Sequence, residues 1–163
     1  MALTSSFPVV DPRPVTKRIL VASSGLATSG AGYSVNNQMG SAFVFPGASR
    51  KAGGYGMVST ATIVDKANII GAVDVWLFSQ AITPAADRSA VSFSDNDMQY
   101  YVGTVSIPAP TNLVNNRAIS VPALGLNYQC TGTSLYGYLV TLTSHTTFNE
   151  ADNILISLTT YLL

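Results

Sequence analysis

Short runs rich in β-branched and aromatic residues recur along this chain at about ten-residue spacing, each closed by Gly, Pro, Asn, Asp or Ser. No run carries the 3.6-residue period of an amphipathic helix for more than a turn or two. A chain punctuated in this way can bury its apolar residues only by stacking sheets. Reading it in order gives strands over 16–23, 41–45, 55–65, 71–78, 98–107, 118–121, 124–130, 134–144 and 153–163. Eight or nine strands predict an all-β fold, a single-domain β-sandwich that is jelly-roll-like, with about eight strands and long loops. No repeat of fixed period appears, which disfavours a propeller or solenoid.

The chain is organised around Gly71 to Ile107. In its first limb Val73, Val75 and Leu77 share one face and Asp74, Trp76 and Phe78 the other. Bulk on both faces predicts a central strand, and core packing for Trp76. The second limb places Met98, Tyr100 and Val102 opposite Tyr101, Val105 and Ile107, and the two limbs are expected to pair. Between them lie turn and capping residues, with Ser94 as N-cap of one helical turn ending near Gln99.

Outside that pair, Pro8, Pro12 and Pro14 fix φ and remove donors, so residues 1–15 read as an extended N-terminal arm and 16–163 as the sandwich domain. Ser24 to Gly40, rich in Ser, Gly and Asn, reads as a long surface loop of the kind that carries interactions. In Tyr55 to Asp65, simple alternation sets Met57, Ser59, Ala61 and Ile63 against Val58, Thr60, Thr62 and Val64.

Composition enters through charge. Only 10% of the 163 residues are charged, where about 25% is usual for a soluble domain. A surface so short of ions is one that something covers. A spanning helix is excluded because no apolar run approaches the ~18 residues required, and residues 1–18 lack the pattern of a secretory signal. One cysteine, Cys130, rules out an intrachain disulfide framework. Permanent assembly is what remains. Residues 1–51 carry five cations against Asp11 alone, a net +4, and residues 52–163 carry three cations against seven acids, a net −4. This polarity suits contacts between copies, or a basic segment on an acidic partner. With no basic run, nucleic-acid binding is not expected.

Catalytic chemistry finds little footing. His145 is the single histidine and sits among Ser144, Thr146 and Thr147 with no nucleophile signature beside it. Cys130 falls in an apolar strand and reads as packed. Asp95, Asn96 and Asp97 resemble the start of a calcium loop, but Tyr100 and Ser106 stand where glycine and glutamate belong. The run from Arg50 to Gly56 lacks the Gly-Lys-Ser/Thr ending of a phosphate loop. No cofactor, metal site or enzymatic activity is expected.

The segments AVDVWLFS, FSDNDMQYYVGTVSIP, SLYGYLVTLTS and FNEADNILISLTTYLL, taken together over residues 55–163, resemble the head decoration (cement) proteins of tailed bacteriophages. The resemblance implies an all-β virion structural protein on the capsid exterior. Such a protein is bound to the major capsid protein and to its own copies, as a trimer or another oligomer. It would pass through the host cytoplasm during assembly, with no nucleic-acid or membrane partner. Candidate contact residues, chosen from charge and loop position, are Arg13, Lys17 and Arg18 on the arm, Tyr33 in the long loop, and Arg50, Lys51 and Tyr55 at the glycine loop. A glycan- or receptor-binding module of a tail or fibre is the alternative, with Trp76 and Tyr100 as stacking platforms.

Overall fold

A computed structural model describes residues 16–22, 32–66, 70–83, 85–109, 111–112, 116–144 and 154–163. The expected arm 1–15, with Arg13, and the loop holding His145 lie outside the described residues. Among the described residues, ten strands run in order as β1 (Thr16–Val21), β2 (Gln38–Phe45), β3 (Tyr55–Asp65), β4 (Val73–Phe78), β5 (Tyr101–Ile107), β6 (Thr111–Asn112), β7 (Arg117–Val121), β8 (Leu126–Gln129), β9 (Leu135–Thr141) and β10 (Ile154–Leu162). One four-residue helix, α1 (Asp95–Met98), joins β4 to β5.

The pairings follow one rule. The first half of the chain lies antiparallel along the second, with β1 on β10, β2 on β9, β3 on β7 and β8, and β4 on β5. Rolling that long ribbon brings β10 against β3 and β9 against β4. Two sheets result, β1-β10-β3-β7-β6 with β8 also on β3, and β2-β9-β4-β5. This is jelly-roll winding, as the strand spacing predicts. Strand β4 is central, between β9 and β5, because both of its faces have apolar surface to bury.

Between the sheets lies the core. Phe43, Phe45, Val73, Val75, Leu77, Val105, Ile107, Leu135 and Leu139 come from one sheet, and Val58, Ala61, Ile63, Ile156 and Leu158 from the other. Two glycines of one inward row make room for it. A Cβ on Gly137 would lie 2.2 Å from the Phe43 ring, and one on Gly103 would lie 2.5 Å from a Leu126 methyl.

Simple alternation fails in β3. Thr159 pairs with Thr60 but Thr160 pairs with Val58, so Ser59 is an extra residue. Its hydroxyl donates to the Thr159 carbonyl at 3.2 Å, and its carbonyl accepts from Leu124 N–H at 3.0 Å. Past this bulge the inward set is Val58 with Ala61 and Ile63.

The outer face of the β2-β9-β4-β5 sheet is roofed by residues 79–83 and 85–100. Trp76, Phe78, Phe93, Tyr101 and Tyr138 form one aromatic cluster with centroid separations of 5.1–6.0 Å. Tyr138 hydroxyl donates to the Ile82 carbonyl at 3.1 Å and fixes the roof from below. Ser94 caps α1 as expected, accepting from Asp97 N–H while the Asp97 carboxylate accepts from Ser94 N–H.

Candidate interaction surface

The residues expected to make contacts fall into three places. Lys17 and Arg18 lie in β1 rather than in an arm, and Arg50 and Lys51 lie in the turn between β2 and β3. Some thirty residues apart in sequence, these pairs meet. Arg18 donates to the Gly47 carbonyl at 3.3 Å, and Arg50 donates to the Thr16 hydroxyl. Lys17, Arg18, Arg50 and Lys51 are all exposed, so four cations share one corner.

Tyr33 is corrected by the structure. Expected on a surface loop, it is 2% exposed, and the Arg88 guanidinium sits 5.0 Å from its ring centroid. The segment leading into β2 is held from two sides. Thr141 hydroxyl donates to the Ser34 carbonyl at 2.5 Å, Arg88 N–H to the Gln38 carbonyl at 2.9 Å, and Asn37 side-chain amide to the Arg88 carbonyl at 2.5 Å. The Asp87 carboxylate accepts from Gly40 N–H at 2.7 Å and pairs with Arg88 at 2.7 Å. Ser and Gly content made residues 32–40 look unpinned because their partners come from 87–91 and β9, far away in sequence.

A larger feature is the outer face of the other sheet. Reading the register outward gives five rows: Tyr55 and Gln129; Lys17, Tyr161, Met57 and Asn127; Ile19, Thr159 and Thr60; Val21, Ser157, Thr62 and Ser120; Leu155, Val64 and Ala118. Lys17, at the rim, is the one Lys, Arg, Asp or Glu in these rows. Large apolar side chains stand in water here, with Ile19 at 69%, Tyr55 at 56% and Val21 at 48% exposure. Leu155 and the flanking Leu163 add to them. No described segment covers this face, whereas 79–83 and 85–100 roof the opposite sheet. Tyr55 belongs to it, at the end nearest the basic corner.

Chemical capacity is slight among the described residues. No three of His, Cys, Asp and Glu come together to hold a metal ion. An open depression of about 370 Å³ is lined by Gly53, Ser79, Gln129, Cys130 and Thr131. Burial pushes the Cys130 thiol up to about 11, so at neutral pH it is a protonated, poor nucleophile. Asp65, buried at the end of β3, spends its carboxylate on Ile70 N–H at 2.6 Å, and Arg117 donates to the Ile70 carbonyl at 2.8 Å. These groups tie Ile70 to the ends of β3 and β7. Trp76 belongs to the roofed aromatic cluster, Tyr100 is half-buried just before β5, and no helix of the described residues is long and apolar enough to cross a membrane.

No protein family and no curated protein matches the sequence. Among solved structures, the chain is similar to the vertex protein P5 of PRD1, at 16% identity and a TM-score of 0.38, over 92% of this chain and 99% of that one. It is also similar to a chain of the Israeli acute paralysis virus particle, heated to 63 degrees and full, at 13% identity and a TM-score of 0.25. That likeness covers 91% of this chain and 69% of the other. Likenesses this distant fix neither fold nor role, and the sandwich assignment rests on the strand pairings themselves.

Proposed function

We propose that this chain is a virion structural protein, a decoration or cement protein that seats on the outer surface of a major capsid lattice as an oligomer and reinforces it without catalysis. One observation carries the reading: the shortage of ions across the whole chain is concentrated in an open sheet face that no described segment roofs. A free monomer would be expected to stud such a face with Lys and Glu. The basic corner of Lys17, Arg18, Arg50 and Lys51, with Arg13 preceding it in sequence, is the proposed attachment point for an acidic capsid surface. Weak contacts there gain strength from repetition across a lattice.

The test is co-sedimentation of the purified chain with shells of the major capsid protein encoded by the same virus. Wild type is expected to pellet with shells, and R50E/K51E to bind about tenfold more weakly, since each reversal turns attraction into repulsion at an exposed site. Binding of the wild type is also expected to weaken with added salt. Absence of wild-type protein from the shell pellet at any salt concentration would overturn the proposal.

A further inference from the structure

We infer that the open face of the β1-β10-β3-β7 sheet is covered by the same face of a second copy, related by a two-fold axis. The inference deepens the assembly reading by naming the partner at this face, and it leaves capsid attachment to the basic corner.

Three observations lead there. The face is almost free of charge, so two copies can meet without repulsion or the cost of burying an unpaired ion. Lys17 lies at the rim, where its ammonium group stays in water. A face whose one charge stands at the rim also offers little to steer a charged partner, which favours an equally uncharged surface.

The second observation is that the opposite side carries ions. Asp74, Asp87, Arg88, Asp95 and Asp97 all belong to the opposite side, in β4 or its roof. A head-to-tail contact would therefore set the apolar face against ions. Pairing like with like avoids that, and like-with-like closure is what a two-fold axis produces.

The third is size. Four strands about 4.8 Å apart and five outward rows nearly 7 Å apart make a patch of about 20 by 30 Å. Corrugated by side chains, that approaches the ~800 Å² per partner of a standard stable interface. Two sheets packed in this way would lie about 10 Å apart, with Ile19, Val21, Leu155, Met57 and Tyr161 interdigitating and Ser and Thr between them. The cement-protein resemblance implies trimers; this geometry points to pairs.

Light scattering coupled to gel filtration tests this without any capsid. Wild type is expected at twice the mass of one chain and unchanged by 1 M NaCl, because no ion pair holds the face. Thr62→Arg, inside the face in its fourth row, is expected to weaken pairing about a hundredfold while circular dichroism keeps its β signature. Ser120→Arg, on a different strand of the same row, gives a second reading should Thr62→Arg fail to fold. R50E/K51E is expected to stay paired, so loss of capsid binding and loss of pairing separate. A monomer at 100 µM, a three-chain mass, or a folded Thr62→Arg or Ser120→Arg protein that pairs like wild type would each overturn the inference.

Discussion

Gly137→Ala tests whether the core is packed as described, because the added methyl has one obstacle and that obstacle is hemmed in. Its Cβ would lie 2.2, 2.6 and 2.9 Å from three carbons of the Phe43 ring, whereas carbon contacts are relaxed at about 3.5–4.0 Å. The ring, or the strand beneath it, has to yield by more than about 1 Å. Phe43 is fully buried and stands edge-on to Phe45 at 5.5 Å, so it has no free direction. Overpacking of this kind costs about 1–3 kcal/mol. Against it stands a gain of about 0.4–1 kcal/mol, because alanine has fewer unfolded conformations to lose. The clash wins, for a net loss of about 1–2 kcal/mol. For a chain of this length that lowers Tm by about 5 °C.

Urea unfolding at fixed protein concentration reads this as a lower midpoint with an unchanged slope. Phe43→Leu should cost stability alone yet partly rescue Gly137→Ala, since the methyl then occupies space the ring has left. The two changes are expected to couple favourably by about 1 kcal/mol or more. A Gly137→Ala protein within about 0.5 kcal/mol of wild type, or strict additivity of the pair, would refute the packing argument.

Two further outcomes are expected. Ser94→Ala removes the capping box of α1 and should cost about 1 kcal/mol locally, seen as amide exchange about fivefold faster at Asp97 and Met98 with the global midpoint little changed. At high pH the fold should weaken: burial holds Cys130 up at about 11 and Tyr128 up at about 12, against ordinary values of 9.0 and 10.0. The unfolded chain releases these protons first, so stability is flat below pH 9 and falls above it, by about 1.4 kcal/mol per pH unit for each group in its window. Cys130→Ala should flatten the fall between pH 9 and 10 in urea midpoints, leaving the later fall to Tyr128 and to Tyr138, which burial also pushes up.

Most strands were legible because period-2 alternation and turn residues are local signals, and Val73–Phe78, Leu135–Thr141 and the Ser94 cap follow from them directly. What escaped was non-local. The inward set of β3 depends on Ser59 being an extra residue, which becomes visible only when β3 is laid against β10. Tyr33 is buried because Arg88 arrives from the roof. The meeting of Lys17 and Arg18 with Arg50 and Lys51, and the nearly uncharged face, required knowing that β1, β10, β3 and β7 are neighbours. Charge scarcity announced that such a face exists, though not which strands compose it.

Strand β10 has a particular consequence for how this molecule comes into being. It is made after every other strand of the sandwich, yet it lies between β1 and β3, separating the first strand from the third. On a ribosome, β1 and β3 therefore wait with their hydrogen-bonding edges unmatched until the last strand threads between them. Closure across such a span is expected to be slow, on the order of milliseconds to seconds. Losing Ile154–Leu162 would remove the middle of a sheet rather than trim its margin, so a ribosome stalled short of it would release a chain with two open edges instead of a slightly smaller sandwich.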